Sequence, residues 1–247
     1  MIFPTLLRPA RLIRHYKRFL ADVEMEDGAR VTAHCANPGA MTGLADPGAR
    51  IWLAPAPAGR KLAWSWVLTE LTDGGRRDLV GINTLHANTL AAEAISASRI
   101  PELAGYGEIR REVAYGQGSR VDFVLGEPGR PACYVEVKSV TLRRGGLAEF
   151  PDSVTQRGAK HMDDLGRIRE SGARAVILYV AQRGDCAAFS VAADIDGAYA
   201  AAFGRARDAG VEVLCYACQV TVGGISIHRP LPIAREKPRL MLKRAGQ

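Results

Sequence analysis

The sequence predicts a two-domain α+β protein: a small β-barrel over residues 1–83, a mixed α/β sheet over 84–233, and a basic tail over 234–247. Three observations predict it. Short apolar runs broken by turn residues fill residues 11–83 without a helical period. An amphipathic helical period first appears just after residue 84. Beyond residue 150, helical and strand patterns alternate, as they do when strands pair in parallel through crossover helices.

Strand-like runs lie at residues 11–24, 29–35, 50–54, 61–71 and 76–83. The breaks contain Glu26-Asp27-Gly28, Asn37-Pro38-Gly39, Asp46-Pro47-Gly48, residues 55–59 and Asp73-Gly74-Gly75, which supply the fixed or positive φ that a sharp turn requires. Five strands in so short a span suit a small closed or partly open barrel, the OB-like module among them. Residues 85–98 then place Ala87, Leu90, Ala91 and Ala94 on one helical stripe. Strands are expected at 108–115, 119–125, 133–142, 174–181 and 211–222, with helices at 154–170 and 195–208.

With 47% hydrophobic and 24% charged residues, the composition is that of an ordinary globular chain. No apolar run approaches the roughly 20 residues that cross a bilayer, and no secretion signal is read at the start, so the expected setting is the cytoplasm, away from membranes. The five cysteines are odd in number and scattered, which predicts reduced thiols and no disulfide partner. Cys215 and Cys218 form a CxxC inside a strand, where positions three apart point to opposite faces and do not chelate one ion.

The net charge of +7 is concentrated. Arg8, Arg11, Arg14, Lys17 and Arg18 share one stretch without an acid, and a second basic cluster occupies residues 229–247 against the single Glu236. Two basic patches on a nearly neutral body are what attraction to a phosphate backbone needs. Arg14, Lys17 and Arg18 are the leading contact candidates because they fall within a predicted barrel strand. The Asn37–Met41 turn offers backbone donors, with Asn37 as its candidate nucleic-acid residue.

The chemistry concentrates around Glu136-Val137-Lys138. In a strand, residues two apart share a face, so Glu136 and Lys138 point one way while Val135 and Val137 point the other. Burying that pair is costly unless each charge is paired or employed. A hairpin through residues 126–131 brings Asp122 beside Glu136. Asp122, Glu136 and the carbonyl of Val137 then form an oxygen-only set for a hard cation, Mg2+ or Mn2+. Lys138 is placed to orient a water or to offset transition-state charge. On the following helix, a Ser153/Gln156 pattern reads as a capping box. Gln156 is a candidate to hold a water or phosphate oxygen, and Arg157 and Lys160 to grip the backbone, whereas His161 is expected to take no part.

The runs His34-Cys35-Ala36-Asn37-Pro38-Gly39-Ala40-Met41, Val135-Glu136-Val137-Lys138-Ser139-Val140-Thr141-Leu142 and Phe150-Pro151-Asp152-Ser153-Val154-Thr155-Gln156-Arg157-Gly158-Ala159-Lys160-His161 resemble the sugar fermentation stimulation protein family. The resemblance spans residues 5 to about 233. It implies an N-terminal OB-like domain and a C-terminal domain of restriction-endonuclease-like, PD-(D/E)xK, type. It also implies DNA binding tied to regulation of sugar (maltose) utilisation. By position it places the two acids of the nuclease-like signature on Asp122 and Glu136 and its lysine on Lys138; Gln156 falls where the next helix often contributes a polar group. Val121 stands where the signature has proline, and Glu93 is the nearest match to an acid on the preceding helix. Two readings follow: a DNA-binding protein with Mg2+-dependent phosphodiester hydrolysis, or a non-cutting DNA-binding regulator on the same fold. A barrel that binds a sugar or other small molecule is a third.

Overall fold

Strands β1 (Arg8–Tyr16), β2 (Leu20–Met25), β3 (Arg30–Cys35), β4 (Arg50–Pro55) and β5 (Trp64–Asp73) run in the order β3-β2-β1-β4-β5, and β5 returns to pair with β3 in parallel. That last ladder, Ala33↔Trp64 to Cys35↔Trp66, closes a five-stranded barrel in the computed structural model, which describes residues 1–73, 75–115 and 119–234. Alternation fills the barrel. Ala21 and Val23 of β2, Ile51 and Leu53 of β4, and Leu12 and Trp66 are all buried inside it, each larger aliphatic side chain contributing about 1.5–3 kcal/mol by leaving water. A sixth strand, β6 (Arg76–Gly81), pairs with the far half of β5 and leads out of the barrel.

The run expected as one strand over 11–24 is two. Lys17 and Arg18 adopt φ of 48° and 63° and turn the chain between β1 and β2. Such turns normally carry Gly, Asn or Asp, for which a positive φ is cheap, so two basic residues gave no turn signal. Lys17 and Arg18 therefore project from a hairpin tip rather than from a strand. The basic residues 235–247 and Gly116-Gln117-Gly118, between the strands expected at 108–115 and 119–125, lie outside the described residues.

The second domain is built on a sheet of order β15-β14-β12-β9-β8-β7. Its strands are β7 (Glu108–Tyr115), β8 (Ser119–Gly126), β9 (Cys133–Val140), β12 (Arg174–Ala181), β14 (Glu212–Thr221) and β15 (Gly224–Pro230). β9, β12 and β14 run parallel, while β7-β8-β9 form an antiparallel meander. In β12 every residue from Ala175 to Ala181 is buried, the near-continuous apolar run of a strand covered on both faces. Helix α1 (His86–Ser96) covers one face through Ala87, Leu90, Ala91 and Ala94. Helices α2 (Gln156–Glu170) and α3 (Gly197–Asp208) cover the other. Cys218 faces the α1 core and Cys215 the α2/α3 core, so the CxxC is split across the sheet. A small sheet of β10 (Leu142–Arg144), β11 (Leu147–Phe150) and β13 (Ala188–Val191) leads into α2.

The expected capping box is not the helix start. Thr155 is the N-cap of α2, its hydroxyl accepting from the Gly158 N–H at 3.1 Å, and the Thr155 N–H donates to Asp196 at 2.8 Å. Asp196 also caps α3 by accepting from the Tyr199 N–H at 2.9 Å, so one buried carboxylate fixes the starts of both helices. Between the domains, Gln182 makes two bonds: its backbone carbonyl accepts from the Gly81 N–H and its amide donates to the Asn83 carbonyl, and the same amide holds Ser139 Oγ of its own domain, all at 2.8 Å. Among the described residues no helix is long and apolar enough to cross a membrane.

Candidate functional site

The β8–β9 ladder runs Leu125↔Cys133, Val124↔Tyr134, Phe123↔Val135 and then ends. Asp122 is the next residue of β8 beyond the ladder, as Glu136 is of β9, but Asp122 is bonded to Asn88 of α1 whereas Glu136 is bonded to His161 of α2, on the other side of the sheet. On its other flank, Glu112 of β7 has φ 51° and makes no ladder pair with Asp122. Asp122 thus occupies a gap in the sheet, and the gap is filled by its own carboxylate. Oδ2 accepts from the Val137 N–H and Oδ1 from Asn88 Nδ2 of α1, each at 2.7 Å. Within a strand a residue's N–H and C=O face the same edge, so the Val137 carbonyl opens on the Asp122 side as well.

Glu136 is buried, with 3% of its surface exposed. Its Oε1 accepts from Lys138 Nζ at 2.7 Å and is also bonded to His161 Nδ1. Arg157 Nε donates to His161 Nε2 at 3.2 Å. Because Arg157 is always a donor, His161 Nε2 must accept, which assigns the ring proton to Nδ1 and makes His161 a donor to Glu136. Lys138 Nζ and His161 Nδ1, 3.3 Å apart, are then two donors converging on one oxygen. Glu136 Oε2 is buried with no hydrogen-bond partner among the described residues. A buried carboxylate oxygen is rarely left in this state, since its desolvation goes uncompensated.

The two acids are held apart in acidity. Burial raises the Asp122 carboxyl above the usual aspartate value, the nearby Glu136 charge adds to it, and the Val137 and Asn88 hydrogen bonds only partly oppose it. Burial also works to raise Glu136, but the His161 hydrogen bond and the Lys138 charge outweigh it, leaving Glu136 below the usual glutamate value.

The other candidates fall in different places. Gln156 is the exposed first residue of α2. Arg157 supports His161, and Lys160 pairs with Asp164 at 2.9 Å. Arg14 is committed to Asp22 at 2.7 Å and lies over the Tyr16 ring. Lys17 is exposed at the hairpin tip, while Arg18 lines a cleft of about 250 Å3 between the domains with Pro38, Gly39, Ser139 and Asp152. Asn37 is only 2% exposed: its amide donates to the Ile82 carbonyl at 3.0 Å and its Oδ1 accepts from the Gly39 N–H at 2.9 Å. Its side chain is spent on holding that turn against the chain leaving β6, so what the turn offers the cleft it lines is backbone rather than the Asn37 amide. Glu93 pairs with the Met1 ammonium, so the α1 side chain at Asp122 is Asn88 instead. His161 and Asn88 are the site residues that the sequence reading missed.

Two family models match in tandem: the SfsA N-terminal OB domain over residues 13–82 and the sugar fermentation stimulation protein RE domain over residues 85–224. The chain belongs to the sugar fermentation stimulation protein family. The family's homolog from Jannaschia sp. (strain CCS1) is 55% identical over 236 residues, covering 94% of this chain and 97% of that protein. The homolog from Paramagnetospirillum magneticum is 52% identical over 232 residues, again covering 94% and 97%. The solved structure of Pyrococcus furiosus SfsA in complex with Ca2+ matches with a TM-score of 0.83 at 27% identity, covering 95% of this chain and 98% of that one. The two-domain fold is therefore that of the SfsA family, an OB-like barrel joined to a restriction-endonuclease-like domain.

In this SfsA-family chain, no group of three or more His, Cys, Asp or Glu side chains among the described residues forms a metal site by itself. The donor set that remains consists of the two carboxylates and a backbone carbonyl. It fits a hard divalent cation on one observation above all: Glu136 Oε2 is buried and has no hydrogen-bond partner among the described residues.

Proposed function

We propose that the protein binds DNA and that its C-terminal domain hydrolyses phosphodiester bonds with a divalent cation, Mg2+ or Mn2+. The observation that carries this reading is the orphaned Glu136 oxygen. A structural ion network would satisfy both oxygens of so deeply buried a carboxylate; this one satisfies Oε1 twice and leaves Oε2 without a partner among the described residues. Asp122, Glu136 and the Val137 carbonyl would hold the ion, the class of oxygen-seeking cation to which the Ca2+ of the P. furiosus relative also belongs. Such an ion lowers the pKa of a bound water and neutralises charge on a phosphoryl oxygen.

The chain's own residues supply the rest. Lys138 presents a proton donor at the face of Glu136, where it orients a water or meets charge on the phosphate. His161, locked by Arg157, fixes the Glu136 rotamer. Gln156, Arg157 and Lys160 at the start of α2, with Lys17 and Arg18 of the barrel, are the side chains assigned to the DNA backbone. A part in regulating sugar utilisation belongs to this reading through the name the relatives bear, and it is exerted through DNA.

The test is conversion of supercoiled plasmid to open circles in Mg2+ or Mn2+, abolished by EDTA. Binding to a labelled duplex should weaken steeply between low and moderate salt, in line with phosphate contacts that release counterions. Salt-dependent binding with intact plasmid in both metals would identify the non-cutting regulator, and salt-independent binding would remove the phosphate-tracking surface.

A further inference from the structure

Beside the carboxylates, a cavity of about 700 Å3 opens between α2 and the β7-β8-β9 meander. It is lined by Tyr115, Tyr134, Lys160, Asp164, Arg167 and Ile168, and its size is within the range of small-molecule sites. It exists because α2 and α3 cover only the β9-β12-β14 part of their face, leaving the meander's outer strands with no helix above them among the described residues.

Its chemistry is specific. The Tyr115 and Tyr134 rings meet edge to face, centroids 6.3 Å apart at 63°, giving an aromatic wall. The Tyr115 hydroxyl is buried and has no hydrogen-bond partner among the described residues. Across the cavity, Lys160, Asp164 and Arg167 follow one another along α2, with Asp164 accepting from both cations. The charges of Asp164 and Glu136, after burial itself, act to keep the Tyr115 proton in place, so the hydroxyl is a standing donor within electrostatic reach of the catalytic carboxylates.

We infer that this cavity takes one unpaired nucleobase of a DNA strand whose backbone lies at Asp122 and Glu136. The aromatic wall offers a stacking surface, the Tyr115 hydroxyl a hydrogen bond to the base edge, and the α2 cations a grip on the adjoining phosphate. A base within a duplex has both faces covered by its neighbours and cannot use such a wall, so the pocket selects single-stranded or splayed DNA. The inference rests on the DNA-directed reading above and adds the strand form to it.

The test measures fluorescence anisotropy with a single-stranded oligonucleotide of about 12 nucleotides, within the span such modules cover, in Ca2+. An abasic site is moved through the oligonucleotide one position at a time. At one position it should weaken wild-type binding about tenfold, the scale of a lost base–aromatic stack, and Tyr134→Leu protein should show no further loss there. Tyr134→Leu should leave binding to the matching duplex within about twofold, and Tyr115→Phe should narrow the spread among the four bases at that position. Single-strand binding that is indifferent to every abasic position overturns the pocket alone. Failure of wild-type protein to bind either DNA form overturns the DNA-directed reading and the pocket with it. Should Tyr134→Leu fail to fold, an unchanged base spread in Tyr115→Phe is sufficient to reject the pocket.

Discussion

Lys138→Ala should lower plasmid nicking by about two to four orders of magnitude while leaving DNA affinity within a small factor, the signature of a group that acts on the transition state. Lys138 is 14% exposed at its side chain and 2.7 Å from Glu136 Oε1. A residue there has little reach to DNA as a surface contact, and on the proposed reading it faces the phosphate held at Glu136. Its loss leaves Glu136 with the His161 donor, so the carboxylate keeps one partner and the fold should survive. The measurement is initial nicking rate against duplex affinity on the same preparation. Equal falls in both would demote Lys138 to a backbone contact. Unchanged nicking would show that the activity comes from elsewhere.

The strand arithmetic that turns Glu136 and Lys138 to one side was legible because a period of two leaves no freedom: once Val135 and Val137 enter the α1 core, Glu136 and Lys138 must leave it on the other side. The barrel was legible for the same reason, through alternation and turn residues. What escaped was set by tertiary contacts. His161 reaches Glu136 because the Thr155–Asp196 tie fixes where α2 begins, and Asp196 is far along the chain. Asn88 and Glu93 lie on one helix but five residues apart, about 140° around its axis, so only one of them can face Asp122. The Lys17-Arg18 turn carries no turn-forming residue, and Asn37 shows its clamp role only when Ile82 is brought against it.

Asp122→Asn should abolish nicking and divalent-ion binding and yet raise the thermal midpoint of the metal-free protein. The sign follows from the acidity. Asp122 lies above the ordinary aspartate value of 3.8 because burial and the Glu136 charge penalise its ionised form. Stability contributed by a group with a raised folded pKa is complete below its unfolded value and is lost as pH rises through the folded value. At neutral pH the ionised Asp122 is therefore a net cost that the neutral amide removes. Asparagine keeps an oxygen for the Val137 N–H, and Asn88 can turn its own carbonyl toward the new amide, so both contacts of the gap survive. A rise on the order of 2–4 °C, the effect of about 1 kcal/mol in a chain of this size, is expected without metal. Addition of Mn2+ should stabilise the wild type and leave the variant unmoved, as mass action on a lost site requires. Glu136 has the opposite sign: its lowered value means its share of stability is present above the ordinary glutamate range and is lost on acidification, so Glu136→Gln should not stabilise. A variant in which Asp122→Asn melts lower than wild type without metal would mean that the carboxylate is there to hold the sheet together, and the case for an ion-binding pair at Asp122 and Glu136 would fail.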